Sequence, residues 1–210
     1  MKVLLVNGSP NREGCTYTAL CEVADTLRAE GIEAEIVHIG TKPIAGCLGC
    51  RRCRELGRCV FDDVVNEVLA RLDEFDGYVF GSPVFFASAN GAMTAFMDRL
   101  FIAEGATGKN AFYLKPAAAV VSARRGGNTA TFDQLNKYFT IRQMPVVSSQ
   151  YWNMVHGYTP DDVRRDLEGM QTMRTLARNM AYLLRCIEAG RREGVPLPLR
   201  EPRVSTNFIE

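Results

Sequence analysis

Short apolar segments alternate with amphipathic segments along most of the chain, and this alternation constrains the fold more than any other feature. Residues 2–7 are apolar, and residues 15–30 then place apolar side chains at helical spacing. The same pattern predicts further strands at 33–39, 76–82, 116–123 and 145–150, and helices at about 62–72, 91–103, 129–141 and 160–189. Because parallel neighbouring strands need crossover connections of a dozen or more residues, this order predicts a parallel sheet with helices on both faces.

Size and composition favour one folded unit without structural disulfides. The chain has 210 residues, of which 47% are hydrophobic and 23% charged, which is enough for the core of one α/β domain. The formal net charge is only +1 and the arginines are scattered, so no nucleic-acid partner is expected. Gly8-Ser9-Pro10 interrupts the first apolar run, and no run reaches membrane-spanning length. We therefore expect a cytoplasmic protein with no membrane partner.

Residues 1–190 are expected to form one domain, into which residues 44–60 are inserted as a cysteine-containing loop. Residues 191–210 are expected to form an extended C-terminal arm, because three prolines there disfavour helix and sheet: Pro196, Pro198 and Pro202.

The inserted loop carries four cysteines within thirteen residues: Cys47, Cys50, Cys53 and Cys59. Disulfide-bonded Cα atoms lie about 4.4–6.8 Å apart with defined side-chain directions, so two unstrained disulfides do not suit so short a segment. Three cysteines at two-residue gaps with a nearby fourth are typical of a 4Fe-4S cluster, whereas zinc usually takes two separated Cys-x-x-Cys pairs. Val60 stands where bacterial ferredoxins have proline. The spacing favours a cluster and leaves bound zinc and free thiols open.

The turn between the first strand and the first helix has the composition of a phosphate-binding loop. Residues 7–18 contain glycines and the hydroxyl groups of Ser9, Thr16 and Thr18 directly before or within the helix start. Backbone N–H groups and the helix dipole at such a start attract an anion. Gly14-Cys15-Thr16 stands where a Walker A loop needs Gly-Lys-Ser/Thr, and the dinucleotide fingerprint G-x-G-x-x-G is absent. The turn therefore predicts a phosphate monoester site, with an ordinary turn capped by Ser9 or Thr16 as the alternative.

Two further loops are expected at the same edge of the sheet, where ligands of such folds bind. Residues 81–91 leave the third strand through a proline turn and present Phe85 and Phe86, which suit a flat partner. Residues 122–128 offer backbone donors and the guanidinium groups of Arg124-Arg125. A phosphate site, an aromatic wall and a donor-rich end together suit FMN.

These three loops, in this order, resemble those of the NADPH-dependent FMN reductase branch of the flavodoxin-like superfamily, and with the cysteine run the chain resembles the iron–sulfur flavoproteins. The similarity covers about residues 1–190. Its most specific pieces are Asn7-Gly8-Ser9-Pro10 with Gly14-Cys15-Thr16, Gly81-Ser82-Pro83-Val84-Phe85 with Asp98-Arg99, and the four cysteines followed by Asp62-Asp63. The resemblance implies a flavodoxin-like α/β three-layer sandwich with a five-stranded parallel sheet of order 2-1-3-4-5.

The resemblance also implies where the cofactors lie. The first loop would hold the FMN phosphate, residues 82–86 would line the isoalloxazine ring, and the third loop would meet its pyrimidine edge. The cofactor-binding residues expected on this basis are Ser9, Asn11, Arg12, Cys15, Thr16, Thr18, Ser82, Pro83, Val84, Phe85, Phe86, Ser122, Arg124 and Gly126, and the expected metal ligands are Cys47, Cys50, Cys53 and Cys59. Asn11 stands where many relatives have arginine and Phe85 where tyrosine is common, and Arg12 is a candidate to replace the missing charge.

The expected function is an oxidoreductase that passes electrons from NAD(P)H or a reduced carrier such as ferredoxin, through FMN and a 4Fe-4S cluster, to a small acceptor such as a quinone or flavin. Kinship further implies a homodimer or homotetramer. No catalytic side chain is expected, because the cofactors carry the chemistry. Two alternatives stay open: a non-enzymatic FMN-binding electron carrier or redox sensor, and a cluster-free quinone, nitro or azo reductase. A hydrolase is disfavoured, because the chain has only two histidines and neither a G-x-S-x-G nor an H-E-x-x-H motif.

Overall fold

The computed structural model describes residues 1–202 and 204–206. Residue 203 and residues 207–210 of the expected C-terminal arm lie outside the described residues.

Among the described residues, six strands form the sheet: β1 (Lys2–Asn7), β2 (Glu33–His38), β3 (Gly77–Phe85), β4 (Ser88–Ala89), β5 (Ala117–Ala123) and β6 (Met154–His156). The order is β2-β1-β3-β5-β6, and every pair along this path is parallel. The short β4 pairs antiparallel with the end of β3 and lies off the path. If β4 is not counted, β5 and β6 are the fourth and fifth strands, and the order is the expected 2-1-3-4-5.

Seven α-helices accompany these strands in the described part of the chain: α1 (Cys15–Ala29), α2 (Cys53–Leu56), α3 (Val64–Ala70), α4 (Gly91–Thr107), α5 (Asn128–Ile141), α6 (Pro160–Arg165) and α7 (Leu167–Arg192). A 3-10 helix spans Leu72–Glu74. No helix among the described residues is both long and apolar enough to cross a membrane.

The sheet separates two hydrophobic cores, and β1 contributes alternate residues to each. Leu4 and Val6 pack on one face with apolar residues of α3, α4 and α5. Val3 and Leu5 pack on the other face with residues of α1, α6 and α7. Since successive side chains of a strand point to opposite faces, an all-apolar strand must be covered on both sides. The predicted three-layer arrangement is therefore confirmed.

The predicted fifth strand at residues 145–150 is wrong, because the fifth parallel strand is β6 at Met154–His156. Val146 forms only an isolated bridge to Ala117 at the start of β5, and the ladder resumes where Met154 pairs with Val121. The two pairings are four residues apart in β5, from Ala117 to Val121, but eight residues apart in the other segment, from Val146 to Met154. The residues between Val146 and Met154 therefore loop out of the sheet. The amide of Asn153 donates to Val147 O at 3.3 Å and closes this loop.

The loop carries Tyr151 and Trp152, whose ring centroids lie 4.8 Å apart. Both side chains are about half exposed, so they are not part of the core. The aromatic residues after Val147 thus lie on the surface instead of continuing the strand.

Beyond α7, residues 195–202 form no helix or strand and are exposed. The guanidinium of Arg200 lies 4.6 Å from the ring centroid of Tyr113, which is a contact between this segment and the body of the protein. The domain boundaries at residues 190 and 191 stay a prediction.

Candidate functional site

The shape of the first loop is fixed by Asn7, which is fully buried at the end of β1. Its side-chain amide donates to Arg12 O at 3.0 Å, and its side-chain oxygen accepts from Ser9 N at 3.1 Å. Gly8 N donates to Gly81 O at 2.8 Å, which ties the loop to β3. A Cβ atom at Gly8 would lie 2.9 Å from Met93 Cβ and 3.0 Å from Gly81 O, so glycine suits this close approach.

Several hydroxyl groups of the first loop are committed to the protein itself. The hydroxyl of Thr18 donates to Gly14 O at 3.2 Å, and the buried hydroxyl of Thr16 shares a hydrogen bond of 2.7 Å with that of Ser122. Ser9 Oγ accepts from Asn11 N at 3.1 Å and keeps its own O–H free to donate. The exposed residues of this loop are Pro10, Asn11, Arg12 and Glu13. Thr16 and Thr18 therefore shape the loop, whereas Ser9, Asn11 and Arg12 are able to reach a ligand.

Cys15 begins α1 beside the same loop. Its Sγ lies 3.6 Å from Gly157 O, and burial raises the pKa of this thiol above its ordinary value. The thiol is therefore neutral at pH 7 and adds no negative charge next to a phosphate.

Two helix starts at this edge of the sheet lack a side-chain cap. Among the described helices of six residues or more, α3, α4, α6 and α7 are capped by Asp63, Asn90, Thr159 and Asp166. By contrast, α1 begins after Gly14 and α5 after Gly127, and neither start has a side-chain hydrogen bond. An uncapped start leaves backbone N–H groups for an anion, and α1 has no acidic residue in its first turn. The start of α1 thus fits the phosphate of FMN.

The second loop is a tight hairpin between β3 and β4. Val84 pairs with Ala89 and Phe85 with Ser88, so Phe86 and Ala87 form the turn with φ angles of 51° and 58°. Such a turn favours Asn-Gly, because both central residues have positive φ. Phe86 is nevertheless fully exposed at its tip and Phe85 is half exposed. The expected aromatic wall therefore projects from the end of β3.

Two other predicted cofactor-binding residues, Ser82 and Val84, make contacts inside the protein that support this hairpin. The buried Ser82 hydroxyl donates to Pro83 O and accepts from Asn90 N, both at 2.9 Å. Its hydroxyl is thus used inside the protein, and it joins the end of β3 to the start of α4. Val84 packs against the core of the α3, α4 and α5 face.

The third loop contacts both of the others. Ser122 meets Thr16 of the first loop, as described above. Gly127 has φ +91°, and a Cβ atom there would lie 2.8 Å from Ala87 Cα in the second loop. Arg124 and Gly126 are exposed between these two contacts. The structure therefore brings the predicted FMN residues of all three loops together at the carboxyl edge of the sheet.

Histidines that the sequence did not assign also lie at this edge. His38 Nε2 donates to Ser9 O at 2.8 Å and supports the first loop from β2. Asn128 Nδ2 and His156 Nε2 lie 3.1 Å apart beside the third loop. A histidine near the end of the predicted strand 33–39 was the signal that could have indicated the His38 contact. His156 ends β6, which lies beyond the predicted strand 145–150, so the sequence contained no such signal for it.

All four cysteines of the inserted loop line one cavity of about 500 Å³ beside α4. Cys47 and Cys50 are exposed, Cys59 is partly buried, and Cys53 is buried at the start of α2. No Asp or Glu lines the cavity in the described part of the chain. The charged residues of the lining are all arginines: Arg51, Arg54, Arg99 and Arg142. A larger cavity of about 820 Å³ lies next to it, between α4, α5 and residues 198–201, and shares Ile102 and Arg142 with it.

The thiols fit a soft metal centre in donor type and in sharing one cavity. All seven cysteines are free. Within residues 1–202 and 204–206, no three His, Cys, Asp or Glu side chains stand together as a metal-ion site. The four sulfur atoms thus share a cavity without being gathered around one point, and metal ligation by them stays a prediction.

Arg99 on α4 lines this cavity, and the family resemblance included it in the pair Asp98-Arg99 without assigning it a site role. Its side chain is completely buried, with its Nε 3.2 Å from Cys59 Sγ. The sequence signal for a buried role of Arg99 was its position as a lone arginine within the apolar stripe of a helix. The neighbouring Phe96, Met97 and Leu100 are all fully buried.

The sequence model of the NADPH-dependent FMN reductase family matches residues 1–159, which include all three loops and the four cysteines of the inserted loop. The chain belongs to this family. Its members are flavin-binding oxidoreductases, and FMN is the flavin that the family name specifies.

Curated members of similar sequence are named iron–sulfur flavoproteins. That of Methanocaldococcus jannaschii is 32% identical over 197 residues, which cover 90% of this chain and 100% of the relative. That of Methanosarcina thermophila is 26% identical over 195 residues, which cover 91% of this chain and 99% of the relative. The expected kinship with iron–sulfur flavoproteins is thus confirmed.

Solved structures share the fold at low sequence identity. RosB, with a bound 8-demethyl-8-formylriboflavin-5′-phosphate intermediate, superposes with a TM-score of 0.72 at 16% identity and covers 100% of this chain and 94% of its own. A WrbA-like flavodoxin from Agrobacterium tumefaciens has a TM-score of 0.61 at 15% identity, covering 88% of this chain and 97% of its own. The predicted flavodoxin-like fold of this family member is confirmed.

Proposed function

We propose that this chain is an FMN-dependent oxidoreductase that passes electrons from NAD(P)H or a reduced carrier such as ferredoxin, through FMN and a 4Fe-4S cluster, to a small acceptor such as a quinone or flavin. The observation that carries the proposal is the mutual contact of the three loops beside the uncapped start of α1. The four-thiol cavity beside α4 supports the second cofactor. A cytoplasmic location and a homo-oligomeric state are part of the same proposal.

The first loop holds the phosphate end in this proposal. Backbone N–H groups at the start of α1 face the anion, and Ser9 supplies an O–H donor. The exposed guanidinium of Arg12 supplies the charge that Asn11 cannot. Because Cys15 carries a neutral thiol, no negative side chain of the first helical turn opposes binding.

The second and third loops orient the ring. Phe85 and Phe86 offer an apolar, half to fully exposed wall for a flat partner. Arg124 lies exposed on the third loop, where its guanidinium favours an anionic ring edge. When bound, FMN supplies hydride chemistry and a cluster supplies one-electron transfer.

One helix links the two proposed cofactor sites. α4 begins directly after the second loop at Asn90 and carries Arg99 of the cysteine cavity. From Gly91 to Arg99 the axis advances about 12 Å at 1.5 Å per residue. Cys47, Cys50, Cys53 and Cys59 would therefore hold the cluster at a fixed position relative to the flavin, which suits electron transfer between them.

Anaerobic stopped-flow mixing with NADH and with NADPH tests the oxidoreductase proposal. With FMN-loaded protein, either nucleotide or reduced ferredoxin is expected to bleach the flavin absorbance, and a small acceptor is expected to restore it. If none of the three donors reduces the flavin, the enzyme assignment fails and a non-catalytic FMN-binding protein is the better account.

Iron analysis of single cysteine variants tests the metal ligands. Cys50→Ser is expected to lose most of the bound iron, because Cys50 lines the cavity. Cys186→Ser is the matched control, since Cys186 is an exposed thiol on α7 outside this cavity. Equal iron content in both variants would contradict the proposed ligand set.

A cluster-free reductase is the second candidate, and the separation of the four thiols favours it. In that case anaerobically purified protein would contain FMN but no iron or zinc, and it would still be reduced by NAD(P)H. Stoichiometric iron in active protein would exclude this candidate.

A further inference from the structure

We propose that Arg99 is a positioning residue that sets the reduction potential of the metal centre in the cysteine cavity, an inference that rests on the cluster proposed above. The inference follows from the contacts of one buried guanidinium group.

Every N–H donor of Arg99 has a partner in the cysteine loop or directly after it. Nε donates to Cys59 Sγ at 3.2 Å. Nη1 donates to Asp63 Oδ2 at 2.6 Å and to Ala45 O at 3.4 Å, and Nη2 donates to Asp63 Oδ1 at 2.9 Å and to Phe61 O at 3.4 Å. Because arginine has five such donors in a rigid planar group, the contacts fix its orientation.

These contacts join both ends of the cysteine loop. Ala45 precedes the first cysteine, whereas Phe61 and Asp63 follow the last one. The Phe61 ring also lies under the guanidinium, with its centroid 4.8 Å from Cζ. Arg99 therefore holds the two flanks of the loop against α4, and a lysine with one nitrogen cannot make the same set of bonds.

The charge of Arg99 is shielded from water and acts on the sulfur directly. The side chain has no exposed surface, and its one carboxylate partner, Asp63, is 29% exposed. A buried guanidinium stays protonated and needs such a partner. Arg99 therefore presents both a permanent positive charge and an N–H donor to one ligand sulfur, that of Cys59.

A positive charge and a hydrogen bond at a ligand sulfur stabilise the reduced form of a cluster, which carries one more negative charge. Cluster potentials respond to net charge and to hydrogen bonds to the sulfur atoms. Asp63 opposes this effect, because its carboxylate partly neutralises the guanidinium. Loss of the Arg99 N–H donor at Cys59 and removal of the Asp63 charge must therefore shift the potential in opposite directions.

A potentiometric titration of the anaerobically purified protein, monitored by the spectrum of the reduced cluster, tests the predicted directions of the two potential shifts. Arg99→Lys keeps a positive charge but loses the Nε–H donor to Cys59 Sγ. It is therefore expected to lower the ratio of reduced to oxidised cluster at a fixed potential about tenfold, or 59 mV for one electron. Asp63→Asn is expected to raise that ratio. The asparagine side chain also keeps an oxygen that accepts from Val65 N, so the cap of α3 is retained.

Arg58→Lys is the matched control. Arg58 lies next to Cys59 in sequence, but its guanidinium pairs with the exposed Asp62. Its replacement by lysine is expected to leave the potential unchanged. A purely structural role of Arg99 would loosen the loop in both test variants and would not produce shifts of opposite sign.

Iron content and cluster potential together distinguish a wrong role for Arg99 from a wrong proposal for the cluster. Iron-loaded protein whose potential is the same in Arg99→Lys, or shifts in the same direction in both test variants, overturns the role of Arg99 and leaves the cluster in place. Wild-type protein that binds FMN but no iron overturns the cluster and the potential-setting role together, and it leaves the flavin site intact. If Arg99→Lys does not fold, a potential in Asp63→Asn that is unchanged or lower than in the wild type contradicts the inference.

Discussion

The hydroxyl oxygens of Thr16 and Ser122 lie 2.7 Å apart, and this hydrogen bond joins the start of α1 to the end of β5. Both residues are buried, with exposures of 1% and 3%. The bond therefore fixes the distance between the phosphate loop and the third loop, on which the candidate flavin site depends.

Replacing Thr16 by valine keeps the shape of the side chain and leaves the buried Ser122 hydroxyl without this partner. We expect a loss of about 1–3 kcal/mol in the free energy of unfolding and weaker FMN binding, as the two loops separate. Urea denaturation and a fluorescence titration with FMN measure the two effects. Thr140→Val on the exposed face of α5 is the control, and an effect of equal size there would contradict the role of the bond.

The contact between the second and third loops predicts different effects at two adjacent glycines. Gly127→Ala is expected to cost about 1–3 kcal/mol of stability, because φ is +91° and the new Cβ would overlap Ala87. At Gly126 a Cβ atom meets nothing within 4 Å, so Gly126→Ala is expected to unfold like the wild type. Thermal denaturation compares the two, and equal midpoints would show that the loops do not touch.

The turn at Phe86 and Ala87 predicts opposite effects on stability and on flavin binding. Phe86→Asn with Ala87→Gly supplies the residues that positive φ angles favour and is expected to stabilise the fold by about 1 kcal/mol. The same change removes an exposed aromatic ring and is expected to weaken FMN binding or flavin reduction. Stability and FMN affinity that increase together would contradict a role of this wall in holding the ring.

The lowered pKa of Glu35 predicts that the folded protein loses stability in acid. Hydrogen bonds from Arg71, and then from Lys2, hold the pKa of Glu35 at about 2, below its ordinary 4.5. Since the folded pKa is the lower one, the stabilisation is complete above pH 4.5 and disappears as the pH falls toward 2.

Because Glu35 is 31% exposed and solvent screens the pairs, the effect at pH 7 is about 1 kcal/mol. Denaturation of wild type and Glu35→Gln should therefore differ at pH 7 and converge as the pH approaches 2. A difference that does not change over this range would contradict the assignment.

Much of the fold was predictable because local signals agree with the tertiary structure. Gly8 marks the end of β1, and most apolar periods switch between strand and helix where the elements do. Pro83 does not end β3, which continues to Phe85. The three flavin loops follow, since the carboxyl ends of parallel strands share one edge.

The features that sequence reasoning missed depend on distant partners or on unfavoured turn residues. Val146 and Val147 resemble a strand, but the ladder is interrupted and closed by Asn153. The β3–β4 hairpin was missed because its turn lacks Asn-Gly. The five bonds of Arg99 connect it to residues 36 to 54 positions away, which no local pattern indicates.

The most direct test of the account is an anaerobic reductive titration of the purified protein, with electrons counted against chains. A chain that holds both FMN and a 4Fe-4S cluster takes up about three electrons, two at the flavin and one at the cluster, and contains about four irons. We expect this stoichiometry in the wild type. Uptake of two electrons by iron-free protein would contradict the cluster, and uptake of none by protein incubated with FMN would contradict the flavin site itself.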